Sequence, residues 1–297
     1  MKIGFIGLGI MGLPMSRNLL KAGHELVVCD VNKAKVDELV ADGAGKVTIA
    51  ATPREAAAQV QLVITMLPNS PHVKQVVLGE NGLIEGSKPG SVLIDMSSIA
   101  PLASREIAAK LAEKGIGFLD APVSGGEPKA RDGTLSVMVG GNKELFDRYY
   151  DVMKSMAASV VLTGDVGAGN VTKLANQIIV ALNIAAMSEA LVLATKSGVD
   201  PELVYKAIRG GLAGSTVLDA KAPLVMDRKF EPGFRVNLHI KDLANAIETG
   251  HELGVPLPLT SQVMEILQAL KVDGMGDADH CSIARFYEKM AKVEIRR

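Results

Sequence analysis

Through the first half of the chain, short apolar runs alternate with longer stretches of helical periodicity. The runs are Lys2–Ile6, Glu25–Cys29, Val47–Ile49, Leu62–Met66, Val92–Asp95 and Gly117–Asp120. Their alternation with helical segments predicts a parallel sheet with crossover helices. Between the third and fourth runs, Thr52, Pro53 and Glu55 occupy the N-cap, N1 and N3 positions of a capping box. Past Gly133 a strand over Thr134–Val139, a helix from about Asn142 and a last strand over Val160–Thr163 complete this region.

From Gly164 to Gly169 the pattern changes, and no strand signal recurs. Helical periodicity continues to the C-terminus, broken at Gly198-Val199-Asp200-Pro201, Gly210-Gly211, Glu231-Pro232-Gly233 and Gly254 to Pro258. Gly198 suits a helix C′ position, Asp200 an N-cap and Pro201 an N1. The longest apolar stretch, Ile178 to Leu193, is interrupted by Asn183, Ser188 and Glu189 and reads as the buried helix of a soluble protein, not as a membrane span. Lys2 and the apolar residues after it resemble a signal peptide only faintly. Gly4, Gly7, Gly9 and Gly12 interrupt them and no small-residue cleavage site follows, so they read as structure.

A length of 297 residues suits two domains. With 32 basic and 33 acidic side chains the net charge is −1, which leaves no field to hold a polyanion and argues against nucleic acid as a partner. Apolar residues make up 48%, enough for a deep core and a buried subunit contact. Cys29 and Cys281 build no disulfide framework, which favours a reducing, cytoplasmic setting. The five histidines lack metal-ligand spacing, and the close carboxylates Asp277 and Asp279 fall in a loop-like stretch, so no metal site is expected.

Gly7-Leu8-Gly9-Ile10-Met11-Gly12 is a GxGxxG run placed directly after a strand and before a helix. The first glycine permits a tight turn, the second lets backbone approach a pyrophosphate, and the third lets helix pack on strand. The phosphates then meet the free N–H groups of the helix N-terminus. Asp30 ends the second strand near the spacing at which a carboxylate accepts the ribose hydroxyls of NAD and repels a 2′-phosphate, although it also suits a turn cap with Asn32. This favours NAD(H), and Lys33 is the nearby cation that would let NADP(H) in. The expected architecture is therefore an α/β Rossmann-type dinucleotide-binding domain over 1–163, followed by an all-α domain over 164–297.

Three further segments leave the carboxyl ends of strands, where open α/β sheets bind ligands. Met66-Leu67-Pro68-Asn69-Ser70-Pro71 and Asp95-Met96-Ser97-Ser98-Ile99-Ala100-Pro101 also read as ordinary turns, with Ser98 able to cap the next helix. In Asp120-Ala121-Pro122-Val123-Ser124-Gly125-Gly126 the adjacent glycines free consecutive N–H groups for a carboxylate, so a small anionic substrate fits, as does a plain loop. Lys173, Asn176 and Gln177 share one face at the start of the long apolar helix. A snorkelling lysine is the plain reading of that face. The chemical one is that the ammonium protonates the alkoxide formed when hydride reaches a carbonyl. Lys241 and Asp242 read as surface charge on a third apolar helix.

Taken together, GFIGLGIMGLPM, DAPVSGGEPKARDGTLSVMVGG, GAGNVTKLANQ and HIKDLANA resemble the β-hydroxyacid dehydrogenase family over essentially the whole chain. The stretches MLPNSPHV, VLIDMSSIAPLASREI, ANQIIVALNIAAMSEAL and IRGGLAGSTVLDAKAP are similar to the branch that reduces tartronate semialdehyde to D-glycerate. The resemblance implies Lys173 as the catalytic acid/base and Ser124, Gly125 and Gly126 as the substrate loop. It implies Gly7 to Gly12 as the cofactor loop, Leu67, Pro68 and Ser98 near the cofactor, and Lys241 reaching it from the helical domain. The family's KxxxN reads here as Lys173-Leu174-Ala175-Asn176-Gln177, so either Asn176 or Gln177 takes the asparagine's role at the substrate. It further implies an active site in an interdomain cleft and a homodimer or homotetramer formed through the helical domain. Oxidation of 3-hydroxyisobutyrate or another short β-hydroxyacid, and a non-catalytic NAD(P)-binding protein, are the alternatives.

Overall fold

A computed structural model describes residues 1–297 and divides into two compact units, Met1–Lys173 and Leu174–Arg297. The first unit runs β1 (Lys2–Ile6), α1 (Gly12–Lys21), β2 (Glu25–Cys29), α2 (Lys33–Asp42), β3 (Val47–Ile49), α3 (Pro53–Ala58), β4 (Leu62–Thr65), α4 (Ser70–Leu78) and α5 (Leu83–Gly86). It continues with β5 (Val92–Asp95), α6 (Pro101–Ala112), β6 (Gly117–Asp120), β7 (Val123–Ser124), α7 (Gly126–Asp132), β8 (Leu135–Gly141), α8 (Lys143–Lys154) and β9 (Ala157–Gly164). One sheet holds all nine strands in the order β3-β2-β1-β4-β5-β6-β8-β7, with β9 paired to β8.

The strands from β3 to β6 are parallel, and the reversal of strand order lies between β1 and β4. This is the Rossmann arrangement expected from the apolar rhythm, and its switch point faces the glycine loop. Alternation along the strands feeds two cores. Ile3, Phe5, Leu26, Val28, Leu62 and Ile64 enter one, while Ile6, Val27, Val63 and Leu93 enter the other.

Past β6 the sheet changes direction, with β8 antiparallel to β6 and β7 and parallel to β9. The intervening segment spends itself on the two-residue β7 and the seven-residue α7, leaving no full crossover helix to bring the chain back in the same direction. The α3 capping box is present with a small displacement. Thr52 Oγ1 accepts from Glu55 N at 3.1 Å, while Glu55 Oε2 accepts from Ala51 N at 2.8 Å, one residue before the N-cap.

The helix α9 (Ala168–Lys196) begins in the first unit and continues into the second, which adds α10 (Pro201–Ile208), α11 (Thr216–Met226), α12 (Val236–Glu252), α13 (Pro258–Leu270) and α14 (Ile283–Ala291). A π-type turn at Lys271–Met275 and a 3₁₀ turn at His280–Ser282 join the last two. Asp200 caps α10 by accepting from Glu202 N at 2.8 Å, with Pro201 at N1 and Gly198 at φ +79°, as the sequence predicts.

The expectation of a buried helix at Ile178–Leu193 needs correction. Ala181, Ile184, Ala185, Leu191 and Val192 of α9 pack in the helical core, but Ile179 is 61% and Leu193 70% exposed. The helix is long and apolar enough to cross a membrane, and here one side of it serves a core. Apolar residues around the whole circumference hid which side that would be.

Candidate active site

The glycine loop links β1 to α1 as a tight turn whose three glycines do three different things. Gly7 has φ +98°, and a Cβ there would lie 2.3 Å from Met66 O. At Gly12 a Cβ would lie 1.9 Å from Gly7 O, so the first turn of α1 closes directly on the loop. Around Gly9 there is nothing within 4 Å of the Cβ position. Sterics inside the chain therefore require Gly7 and Gly12 but leave the face of Gly9 open, which is the cradle a pyrophosphate needs. No side chain caps the N-terminus of α1. Leu8 is buried, while Ile10 is exposed and Met11 half-buried on the outer side of the turn.

Asp30 follows β2 and binds two ways. Its Oδ2 accepts from Leu8 N at 2.5 Å, fastening the glycine loop, and its Oδ1 accepts from Asn32 N at 2.6 Å. The turn-capping role is thus present together with a loop contact that the sequence did not suggest. A carboxylate has about four acceptor sites, so these bonds leave capacity for ribose hydroxyls. Cys29 beside it is half-buried, and burial, with Asp30 and Glu55 nearby, raises its thiol pKa and keeps it protonated.

The segment after β4 is held from β5. Leu67 N donates to Ser97 Oγ at 2.9 Å, while Thr65 Oγ1 and Ser97 N donate to Asp95 Oδ1 at 2.8 and 3.1 Å. Asp95 is fully buried and its Oδ2 has no partner. Burial pushes its carboxyl up to about 6 against the opposing hydrogen bonds from Ser97 and Thr65, with Asp120 adding to the rise. Pro68 is exposed and Ser98 half-buried on this rim. Ser98 does not cap α6. The N-cap is Ala100, whose N–H donates to Ser70 Oγ at 3.1 Å.

Ser124 is paired with Ser136 across β7 and β8, and Gly125 and Gly126 adopt φ +136° and +69° at the start of α7. The consecutive glycines thus form a sharp corner. On α9, Lys173 is only 7% exposed, which removes the snorkelling reading. Asn176 Nδ2 donates to Gln177 Oε1 at 2.8 Å, and Gln177 Nε2 donates to Asp242 Oδ2 at 2.6 Å. The other oxygen of Asp242 pairs with Lys241 Nζ at 2.9 Å.

Asp242 is 2% exposed, so its reading as surface charge is wrong. It joins Lys241 to the amide pair of α9 within the helical unit. Its position one residue after a lysine on an apolar helix concealed this, because an ion pair and a solvated pair look alike in sequence. Asp95, Asp120 and Asn170 were also missed as participants. For Asp120 the available signal was the missing capping side chain in Gly167-Ala168-Gly169, which obliges a residue from elsewhere to supply one.

Residues 2–164 match the family model for the NAD binding domain of 6-phosphogluconate dehydrogenase. Residues 167–287 match the one described as NAD-binding of NADP-dependent 3-hydroxyisobutyrate dehydrogenase. The chain is 43% identical to 2-hydroxy-3-oxopropionate reductase of Escherichia coli, over 99% of this chain and 100% of that one. It is 37% identical to 2-(hydroxymethyl)glutarate dehydrogenase of Eubacterium barkeri, over 99% and 97%. A solved structure of 3-hydroxyisobutyrate dehydrogenase from Mycobacterium tuberculosis with L-serine superimposes with a TM-score of 0.88 at 32% identity, covering 96% of this chain and 98% of that one. With its Rossmann sheet, its open glycine turn and matches along its whole length, the chain belongs to the β-hydroxyacid dehydrogenase family of NAD(P)-dependent oxidoreductases.

Proposed function

We propose that this enzyme reduces tartronate semialdehyde (2-hydroxy-3-oxopropanoate) to D-glycerate, using NAD(H) in preference to NADP(H). The observation that carries the chemistry is the burial of Lys173 on the first turns of α9, in the same compact unit as the glycine loop. The substrate is assigned on the full-length similarity to the Escherichia coli reductase.

A bound nicotinamide supplies the hydride to the aldehyde carbon. The open N-terminus of α1 and the face of Gly9 hold the dinucleotide phosphates, with Leu8, Ile10 and Met11 shaping the turn. Leu67, Pro68 and Ser98 line its path along the strand ends, and Lys241, held by Asp242, serves it as a cation. Asp30 receives the ribose hydroxyls, and its charge opposes a 2′-phosphate. The corner at Ser124, Gly125 and Gly126 takes the substrate carboxylate, and Asn176 with Gln177 takes its hydroxyl. Lys173 gives a proton from Nζ to the carbonyl oxygen as the C–H bond forms, so hydride and proton together turn the aldehyde into the alcohol.

The exposed Ile179 and Leu193 on α9 support a homodimer or homotetramer, which light scattering of the purified protein measures directly. Two unpaired cysteines are consistent with a cytoplasmic enzyme of glyoxylate or glucarate breakdown. Oxidation of 3-hydroxyisobutyrate would use the same groups, and the similarity to the Mycobacterium tuberculosis enzyme favours it as the second reading. Initial rates with NADH and NADPH against tartronate semialdehyde and methylmalonate semialdehyde separate the two. A kcat/KM at least about tenfold higher for tartronate semialdehyde is expected, and the reverse order would replace this proposal with the second reading.

A further inference from the structure

The first turn of α9 has no capping side chain of its own. Gly167 sits at its N-cap position with φ +93°, followed by Ala168 and Gly169, so its orphan N–H groups need acceptors from elsewhere. Ala168 N donates to Asp165 O at 2.9 Å, and two others find acceptors in β6. Asp120 Oδ1 accepts from Gly167 N at 2.7 Å and Asp120 Oδ2 accepts from Asn170 N at 2.8 Å. The carboxylate is fully buried, and burial raises its pKa against these two opposing bonds.

The approach is close because two glycines permit it. A Cβ at Gly140 would lie 2.5 Å from Asp120 Oδ1, and one at Gly169 would lie 2.9 Å from Asp120 Oδ2. A second tie comes from the helix itself. Asn170 Oδ1 accepts from Ile99 N at 3.1 Å and its Nδ2 donates to Ser104 Oγ at 3.1 Å. Asn170 is completely buried, and it stands three residues before Lys173, on the same face.

These bonds register one helical turn against two loops. Asp120 is the residue from which the Ala121–Gly126 segment departs, so the carboxylate fixes the start of α9 to the root of the substrate corner. Ile99 directly follows Ser98, so the Asn170 amide fixes the same turn to the cofactor rim. We infer that Asp120 and Asn170 are positioning residues that hold Lys173 in register with the substrate corner and the cofactor rim, and so set the rate of proton delivery. This rests on the proposed role of Lys173. A misplacement of about 1 Å at a reacting group can cost on the order of a hundredfold in rate, whereas cofactor affinity is set on the glycine loop.

The test uses Asn170→Ala, Ser104→Ala and Asp120→Asn in the full-length protein, with Lys173→Ala measured alongside. Readouts are kcat and KM for tartronate semialdehyde, NADH affinity by fluorescence titration, and the isotope effect on kcat with 4-deuterated NADH. We expect kcat to fall roughly 10- to 100-fold in Asn170→Ala and Asp120→Asn, and about threefold in Ser104→Ala. NADH affinity should stay within about twofold, and the isotope effect should rise as the chemical step becomes limiting. A partly unfolded preparation would instead lose kcat and NADH-binding capacity together, with the isotope effect unchanged, and that result in Asn170→Ala overturns the inference. So does parental kcat in folded Asn170→Ala. Should Asp120→Asn fail to fold, Asn170→Ala and Ser104→Ala decide, since both leave the carboxylate in place. If Lys173→Ala is inactive while Asn170→Ala is not, the positioning role alone fails. If Lys173→Ala turns over like the parent, the functional reading fails with it.

Discussion

Both α1 and α9 begin in glycine-rich segments, Gly7-Leu8-Gly9 and Gly167-Ala168-Gly169, that carry no capping side chain. At α9 two of the donors are answered by the Asp120 carboxylate. At α1 no side chain caps the helix itself, Asp30 taking the Leu8 N–H of the loop before it, and the space beside Gly9 is open. A helix N-terminus attracts anions wherever it occurs, so the useful question is whether the fold has already supplied one. Here the fold fills the start that carries Lys173 and leaves open the start proposed to bind the dinucleotide.

Substitutions break the comparison at either end. Gly12→Ala drives a Cβ against Gly7 O, and should cost about 3 kcal/mol of stability and abolish NADH binding, as measured by denaturant unfolding and fluorescence titration. Asp120→Ala removes the internal cap of α9 and leaves two buried N–H groups unanswered, with an expected loss of about 2–4 kcal/mol in the same unfolding measurement.

Asp95 lies beside Asp120 in the register of β5 and β6 and sharpens the electrostatic side of the comparison. Its carboxyl is raised from 3.8 to about 6, so the native state binds more protons than the unfolded chain between those values. Its contribution to stability is therefore present at low pH and is lost as pH rises through that window, by on the order of 3 kcal/mol. Asp95→Asn should flatten this part of the stability profile, which urea unfolding at a series of pH values reads directly.

At the open start, Gly9→Ala meets no atom and should change the melting temperature of the ligand-free protein by little, while weakening NADH at least about tenfold. Equal losses in both measurements would show that Gly9 serves the fold and not the ligand. The smallest change expected is in Asp30→Asn, which should narrow the NADH over NADPH preference several-fold, read as the ratio of the two kcat/KM values.

Much of this molecule was legible in the sequence. The apolar runs marked β1 to β6 nearly to the residue, because each short run is bounded by a helical pattern on either side. Asp200-Pro201 placed the start of α10 for a similarly local reason. What was hidden is non-local. The antiparallel pairing of β8 depends on how little of the preceding segment forms helix. The cap of α9 comes from a strand about fifty residues away in sequence. Asp242 looks like solvent-facing charge until Gln177 and Lys241 are seen on its two oxygens. Spacing marked the glycine turn and the lysine of the apolar helix α9, while the side chains that hold them appear only once the strands are placed side by side.

The most direct test of the account is turnover by Lys173→Ala with NADH and tartronate semialdehyde, measured beside its NADH affinity. Proton delivery by a buried ammonium predicts a fall in kcat of about 10³-fold or more, with NADH bound as in the parent protein. A variant that binds NADH normally and still reduces the aldehyde at close to the parental rate would contradict it.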